Sequence, residues 1–309
     1  MQNQSLVIDC DPGIDDALAL LLAAASPTLQ LLGVTSVAGN RPLETTTLNA
    51  RRILDLAGRL DVPVYAGCAR PLARPDPRCN LVHGEDGLGG AVLPPERGPL
   101  DQLHAVDFLE RVLLLSEPRS LTLVAIGPLT NLAMAEIKRP GLLRRAGSLL
   151  IMGGAVFCKG NVTPAAEFNF HCDALAARVV LQSGAPITLF GLDVTSKVLM
   201  SADWIQSFDR GGNSASSAVA AMLRAYAVED PLLHDACPVA YALDPTLFRG
   251  KPCRLAVDWI PGPNEGRVFP LEADEGEDAL APSNTELILD VDAERLLRLV
   301  HERIMTLAY

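Results

Sequence analysis

The chain has 309 residues, 49% of them hydrophobic, enough to bury the core of one large α/β domain or two smaller ones. Its 26 basic residues against 37 acidic ones leave a formal charge of −11, which argues against a nucleic-acid backbone or an anionic membrane as the main partner, since both need basic patches. The start, MQNQSLVIDC, has no basic stretch before an apolar one, and the longest apolar run, ALALLLAAA, falls far short of the roughly 20 residues that span a bilayer.

Strand-like and helix-like segments then alternate. SLVIDC (5–10) reads as a buried strand and DDALALLLAAAS (15–26) as a helix. LQLLGVTSVAG (29–39) is a second strand, TTTLNARRILDLAG (45–58) a helix and VPVYAG (62–67) a third strand. Residues 68–100 break the rhythm with six prolines and the glycine-rich HGEDGLGG, so a functional flap is expected there. HAVDFLERVLLLS (104–116) is helical, LTLVAIG (121–127) a strand and LTNLAMAEI (129–137) a helix. SLLIMGGA (148–155) is a strand, DALAARVVLQSG (173–184) a helix and APITLFGLDVT (185–195) strand-like. Helical stretches follow residue 200, with a strand pair near CRLAVDW (253–259) and a closing helix, AERLLRLVHERI (293–304).

This alternation predicts βαβ units: an α/β fold, doubly wound, with a mostly parallel sheet and helices on both faces. No repeat or linker divides the chain, so residues 1–309 are expected to form a single domain. Seven cysteines without a CxxC pair suit reduced thiols, and a cytoplasmic setting is expected.

The segment VIDCDPGIDDALALLLAAA (7–25) gathers Asp9, Asp11, Asp15 and Asp16 at the entrance to a core. Two unit charges about 5 Å apart repel by roughly 3 kcal/mol at an effective dielectric of 20. Alternation along a strand puts Asp9 and Asp11 on one side. Asp15 and Asp16 would fall in a helical first turn, where the helix dipole rewards an acid or two but leaves the set unexplained. A hard divalent cation with oxygen ligands explains it better, since no HExxH and no Cys/His cluster supplies a softer site. In such sheets the ligand lies beyond the carboxyl ends of the strands. Polar or glycine-rich residues recur there: Asp11, Asn40, the break after Ile126, Met152-Gly153-Gly154 and Asp193.

DCDPGIDDALAL resembles the DxDPGxDDA signature of the nucleoside hydrolases, ribohydrolases that cleave N-glycosidic bonds with a bound calcium. The resemblance continues in family order through GVTSVAGN, VHGEDGLGG, AIGPLTNLAMA, IMGGA, GNVTPAAEFNF, ITLFGLDVT and HDACPVAYALDP, to about residue 245. It implies calcium held by Asp11, Asp16, Asp235 and the carbonyl of Ile126, with the ribose 2′- and 3′-hydroxyls completing the ligand set. Asp11 would deprotonate the attacking water. Asp15 and Asn169 match ribose-hydroxyl ligands, with Asn40 beside the 3′ side, Asn161 and Glu167 on the 5′-hydroxyl, and Met152 packed near the sugar. His83, in the flap, and His234 match the histidines that some members place around the base, and His234 would protonate the leaving group. Tyr226 falls where pyrimidine-preferring members carry a base-contacting tyrosine, whereas Met222 replaces their glutamine. The resemblance implies a ribonucleoside substrate (inosine, pyrimidine ribosides or both) and a homodimer or homotetramer. Two alternatives share parts of the pattern: a haloacid-dehalogenase-type phosphatase with Asp9 as nucleophile, and a non-catalytic ribose- or calcium-binding protein.

Overall fold

Strand β1 (Gln4–Cys10) is apolar on both faces: Leu6, Ile8 and Cys10 join one buried cluster and Val7 the other. A strand of this kind belongs inside a parallel sheet covered on both sides. The computed structural model, which describes residues 4–271 and 285–307, places it so. The other described strands are β2 (Leu29–Ser36), β3 (Val64–Ala66), β4 (Leu100–Asp101), β5 (Leu121–Ala125), β6 (Ser148–Met152), β7 (Ile187–Phe190), β8 (Phe248–Cys253), β9 (Leu255–Val257), β10 (Val268–Pro270) and β11 (Thr285–Val291). Nine of them form one sheet in the order β4-β3-β2-β1-β5-β6-β7-β11-β8, while β9 and β10 make a separate antiparallel ribbon. Every pairing in the large sheet is parallel except β8 against β11.

Helices cover both faces. α1 (Ile14–Ala24), α2 (Leu43–Leu56), α9 (Ser214–Tyr226), α10 (Ala236–Leu243) and α11 (Ala293–Met305) pack into one core cluster; α3 (Ala105–Leu115), α4 (Thr130–Lys138) and α6 (Ala174–Leu181) pack into the other. Of the shorter helices, α5 (Phe168–Cys172) adds Phe170 to the second cluster, and α7 (Leu192–Thr195) and α8 (Ala202–Ser207) add Leu192, Val194 and Ile205 to the first. No described helix is long and apolar enough to cross a membrane.

The chain leaves β1 toward β2 and later returns to its other side at β5, so the order reverses beside β1 and opens a crevice at the carboxyl ends. Asp11 sits there. A Cβ on Gly39 would lie 2.1 Å from its Oδ2, and one on Gly127 would lie 2.5 Å from its Oδ1. Glycine at both places lets the exits of β2 and β5 close on the carboxylate.

Three expectations change. The stretch 185–195 is not all strand: Gly191 starts α7, and Asp193 accepts the N–H groups of Val156 and Phe157 at 2.8 and 2.7 Å. β11 was not anticipated; it continues the parallel sheet beside β7 and carries β8 on its far edge. AEFNF, left unassigned by periodicity, forms α5, which Glu167 caps by accepting the N–H groups of Asn169 and Phe170.

Candidate active site

The site is built from the start of α1. Gly13 has no side chain to cap the helix. Asp16 folds back instead, its Oδ2 accepting Gly13 N–H at 2.9 Å and its Oδ1 accepting Asp11 N–H at 3.1 Å. The next free donor, Ile14 N–H, is taken at 3.0 Å by Nδ1 of His83 from the flap. The ring fills the space a Gly13 side chain would need, with a Cβ there falling 2.7 Å from it. Because Nδ1 accepts, the ring hydrogen is on Nε2, 3.8 Å from Asp15 Oδ1. Burial holds the His83 pKa down at about 4, so the ring is neutral at physiological pH. His83→Ala should cost about 1–2 kcal/mol of stability, as for loss of a helix cap, checked by denaturant unfolding.

His83 is one of several pins in the flap. Leu72 N–H reaches Asp173 at 2.8 Å, Arg78 donates to the His171 carbonyl at 2.7 Å and to Glu265 at 2.9 Å, and Asn80 donates to Asn40 Oδ1 at 2.9 Å. Asn49 holds the Asp86 carbonyl at 2.9 Å, and Gly98 N–H meets the buried Asp55, itself paired with Arg51 at 2.9 Å. The flap is docked along its length.

Asp15, Asp16 and Asp235 each offer a carboxylate oxygen within 4.8 Å of the others. Asp11 lies beside this cluster rather than in it. Its Oδ2 accepts Asn40 N–H at 2.6 Å, and Asn40 Nδ2 reaches the Asp11 carbonyl and Asp16 Oδ2, both at 3.2 Å. Burial, then the neighbouring carboxylates, push Asp11 and Asp235 well above the usual carboxylate range. Burial likewise raises Asp15, and burial with repulsion from Asp15 pushes Asp16 up to about 7.

Asp9 does not join them. It faces α4, where its Oδ1 accepts the Thr35 hydroxyl and, at 2.7 Å, the Asn131 amide. Strand alternation ends at Cys10, so the same-side expectation for Asp9 and Asp11 fails as the chain bends toward Pro12. A nucleophilic Asp9, as the phosphatase reading requires, would have no access to the cavity described next.

Beside the carboxylates lies a cavity of about 370 Å³. Asp15, Asp235, Asn40, Ile126 and Met152 are termed its floor; Asn161, Glu167 and Asn169 line it as one polar group, or wall, and His83, Tyr226 and His234 as another. Glu167 is fixed by accepting Gly154 N–H at 2.8 Å and Asn169 N–H at 2.9 Å, and burial raises its pKa. Asn169 Nδ2 spans the carbonyls of Ile126 at 2.9 Å and Met152 at 3.3 Å, tying α5 to β5 and β6. Asn161 accepts Phe168 N–H at 3.0 Å. His83 and Tyr226 stack with centroids 5.0 Å apart.

His234 and Asp235 precede α10, with Asp235 as its N-cap, so both sit in the turn that leads into the helix. The ring of His234 is held at both nitrogens, Nδ1 to Thr195 Oγ1 at 2.8 Å and Nε2 to Asp230 Oδ2 at 3.2 Å. Burial opposes its charge, but the Asp230 bond and the charges of Asp15, Asp230 and Glu167 leave its pKa raised. Met222 is buried in α9 and does not line the cavity, whereas Tyr226, one turn later, does.

Sequence reasoning brought the floor and both walls together but missed Asn80, Val82, Val162, Phe168, Glu229 and Asp230, which also line the cavity, and Thr195 behind His234. The only local sign was the acidic pair in VEDPLLHD.

Residues 6–298 match the family model described as inosine-uridine preferring nucleoside hydrolase. An uncharacterised protein of Schizosaccharomyces pombe is 40% identical over 307 residues, covering 97% of this chain and 98% of that one. The pyrimidine-specific ribonucleoside hydrolase RihA of Photobacterium profundum is 38% identical over 312 residues, covering 98% and 99%. Among solved structures, the purine-preferring ribonucleoside hydrolase of Gardnerella vaginalis superposes with a TM-score of 0.91 at 32% identity, covering 98% of this chain and 99% of that one. With a signature strand-to-helix turn, a carboxylate floor and two polar walls in place, the chain belongs to the inosine-uridine preferring nucleoside hydrolase family and is an N-ribohydrolase.

Proposed function

We propose that the protein hydrolyses pyrimidine ribonucleosides and inosine to free base and ribose with calcium as its resident metal. The observation that carries this reading is the trio of buried carboxylates, Asp15, Asp16 and Asp235, two of which, Asp15 and Asp235, line the cavity together with Glu167 and Asn169. A hard cation fits the residues present. The donor set is all oxygen, and the buried Asp11 Oδ1 and Asp15 Oδ1 have no hydrogen-bond partner. Asp11, Asp16, Asp235 and the Ile126 carbonyl would hold it, with Asp15 on its ribose side. When bound, calcium supplies positive charge that gathers hydroxyl oxygens and makes a nearby water more acidic.

The chain's own groups supply the rest. Asp11, fixed by Asn40 N–H, accepts a proton from the attacking water. The carboxylate floor favours the positive charge that develops on the sugar as the bond to the base loosens. Asp15 and Asn169 hold the 2′-hydroxyl, Asn40 lies on the 3′ side, and Asn161 and Glu167 take the 5′-hydroxyl above Met152. Glu167 is pre-positioned for this by three backbone N–H groups. The base lies against His83 and Tyr226, and His234 gives it a proton. Pyrimidine preference is supported by this wall and by the name of the relative RihA.

Incubation with uridine and, separately, with a phosphomonoester tests the reading. Free uracil and free ribose from uridine, with no phosphate released from the ester, is the expected result. Phosphate release would move the chemistry to the phosphatase class, and no product from any ribonucleoside would leave a binding protein.

A further inference from the structure

His234 is clamped between two partners of different kinds. On one side, Nδ1 meets the hydroxyl of Thr195 in α7, which is fully buried. A hydroxyl both donates and accepts, so it suits Nδ1 with or without a hydrogen. On the other side, Nε2 meets Asp230 Oδ2 at 3.2 Å. A carboxylate only accepts, so this contact places a hydrogen on Nε2. Asp230 is itself aimed: its Oδ1 accepts Leu232 N–H at 3.0 Å, across the turn made by Pro231. Its side chain is 24% exposed and lines the cavity beside His83 and Tyr226, whereas His234 is buried. No lysine or arginine lines the cavity, so His234 is the one basic group bonded to Asp230 among the described lining residues.

We infer that Asp230 is a positioning residue for the leaving-group step: it holds the His234 ring in the rotamer that presents Nε2–H to the base. The inference rests on the reading of His234 given above. In the step concerned, the C1′–N bond breaks and its electron pair stays on the base. The doubly protonated ring gives its Nε2 proton to that base and is left neutral, its remaining hydrogen on Nδ1 toward Thr195 Oγ1; the water oxygen bonds to C1′, and the water's proton goes to Asp11. Bulk water then returns a proton to His234 and takes one from Asp11, so the balance is one water consumed per nucleoside. At 3.2 Å the Asp230 bond is at the long end of the normal range, so the hydrogen can pass to a base nitrogen entering beside it without the ring turning. Asp230 acts through His234 and needs no contact with the sugar.

A double-mutant cycle tests this with uridine and with p-nitrophenyl riboside, whose leaving group departs unaided. Asp230→Ala should lower kcat on uridine by about 10- to 100-fold, the range for losing a hydrogen bond to a charged group. It should leave KM and the activated riboside within about 2-fold. Asp230→Asn, whose amide oxygen can still accept from Nε2, should recover most of the loss. In the His234→Ala background, Asp230→Ala should add less than about 2-fold, because a residue acting through an absent ring has nothing left to position. Losses that multiply in the double variant would overturn the inference and make Asp230 an independent base-binding group, as would an equal loss on the activated riboside. If His234→Ala spared uridine, or cost both substrates equally, the leaving-group reading would fail and this inference with it.

Discussion

Replacing Asp235 or Asp11 by alanine should lower kcat/KM for uridine by about 10³-fold or more while leaving the fold intact. Removing one pre-organised hydrogen-bond donor at a reacting centre costs about 10²–10³ in kcat, and removing a cation's ligand adds the loss of the cation to that. The stability side has the opposite sign. Burial and mutual repulsion hold Asp11 and Asp235 well above the usual carboxylate range and Asp16 at about 7. A group whose folded pKa exceeds its unfolded one binds its proton more tightly in the folded state between the two values. For Asp16 that window runs from 3.8 to about 7, so the metal-free protein should lose stability as pH rises through it. Removing one carboxylate relieves the strain on its neighbours, so metal-free Asp235→Ala should melt no lower than metal-free wild type. Wild type alone should then gain on adding calcium, by about 2.7 kcal/mol at 100 times Kd. Thermal unfolding at pH 5 and pH 8, with and without calcium, checks both signs.

Deoxyuridine should be a poor substrate, with kcat/KM about 10²-fold or more below that of uridine. Asp15 Oδ1 is buried with no hydrogen-bond partner, yet Asp15 lines the cavity together with Asn169. A 2′-hydroxyl entering there donates to a charged acceptor, worth about 1.5–3 kcal/mol. Its removal leaves the carboxylate buried and unsatisfied, which is how sites built for a hydroxyl reject analogues that lack one. Asn169→Ala should narrow the ratio of uridine to deoxyuridine, since its amide is held at the same edge by two carbonyls. A ratio near one in wild type would contradict the ribose placement.

How legible was this in the sequence? The alternation of β and α was legible because buried parallel strands and amphipathic helices leave different periods, as in SLVIDC followed by DDALALLLAAA. The carboxylate cluster was legible because Asp15 and Asp16 lie side by side at the start of a helix and Asp235 sits in a recognisable HD pair. What failed depended on contacts distant in the chain or on irregular backbone. His83 caps a helix 69 residues away, and nothing local in HGEDGLGG signals that. Asp9 was grouped with Asp11 by counting along a strand, but the strand ends at Cys10 and Asp9 turns to Asn131 of α4. α5 is five residues long and depends on the Glu167 cap, too short for a periodic signal. LDVT resembles a strand in composition and becomes α7 because Asp193 is committed to the loop after β6, and a Cβ at Gly191 would fall 2.9 Å from its carboxylate.

The central claim is that the buried carboxylates hold a hard cation needed for ribose transfer to water. The most direct measurement is uridine cleavage by chelator-treated protein during titration with calcium, alongside Asp16→Ala. Activity should be absent after chelation and return saturably in wild type with about one calcium per chain. Asp16→Ala should show neither binding nor recovery. Full uridine cleavage by metal-stripped wild type, or unaltered calcium binding by Asp16→Ala, would contradict it.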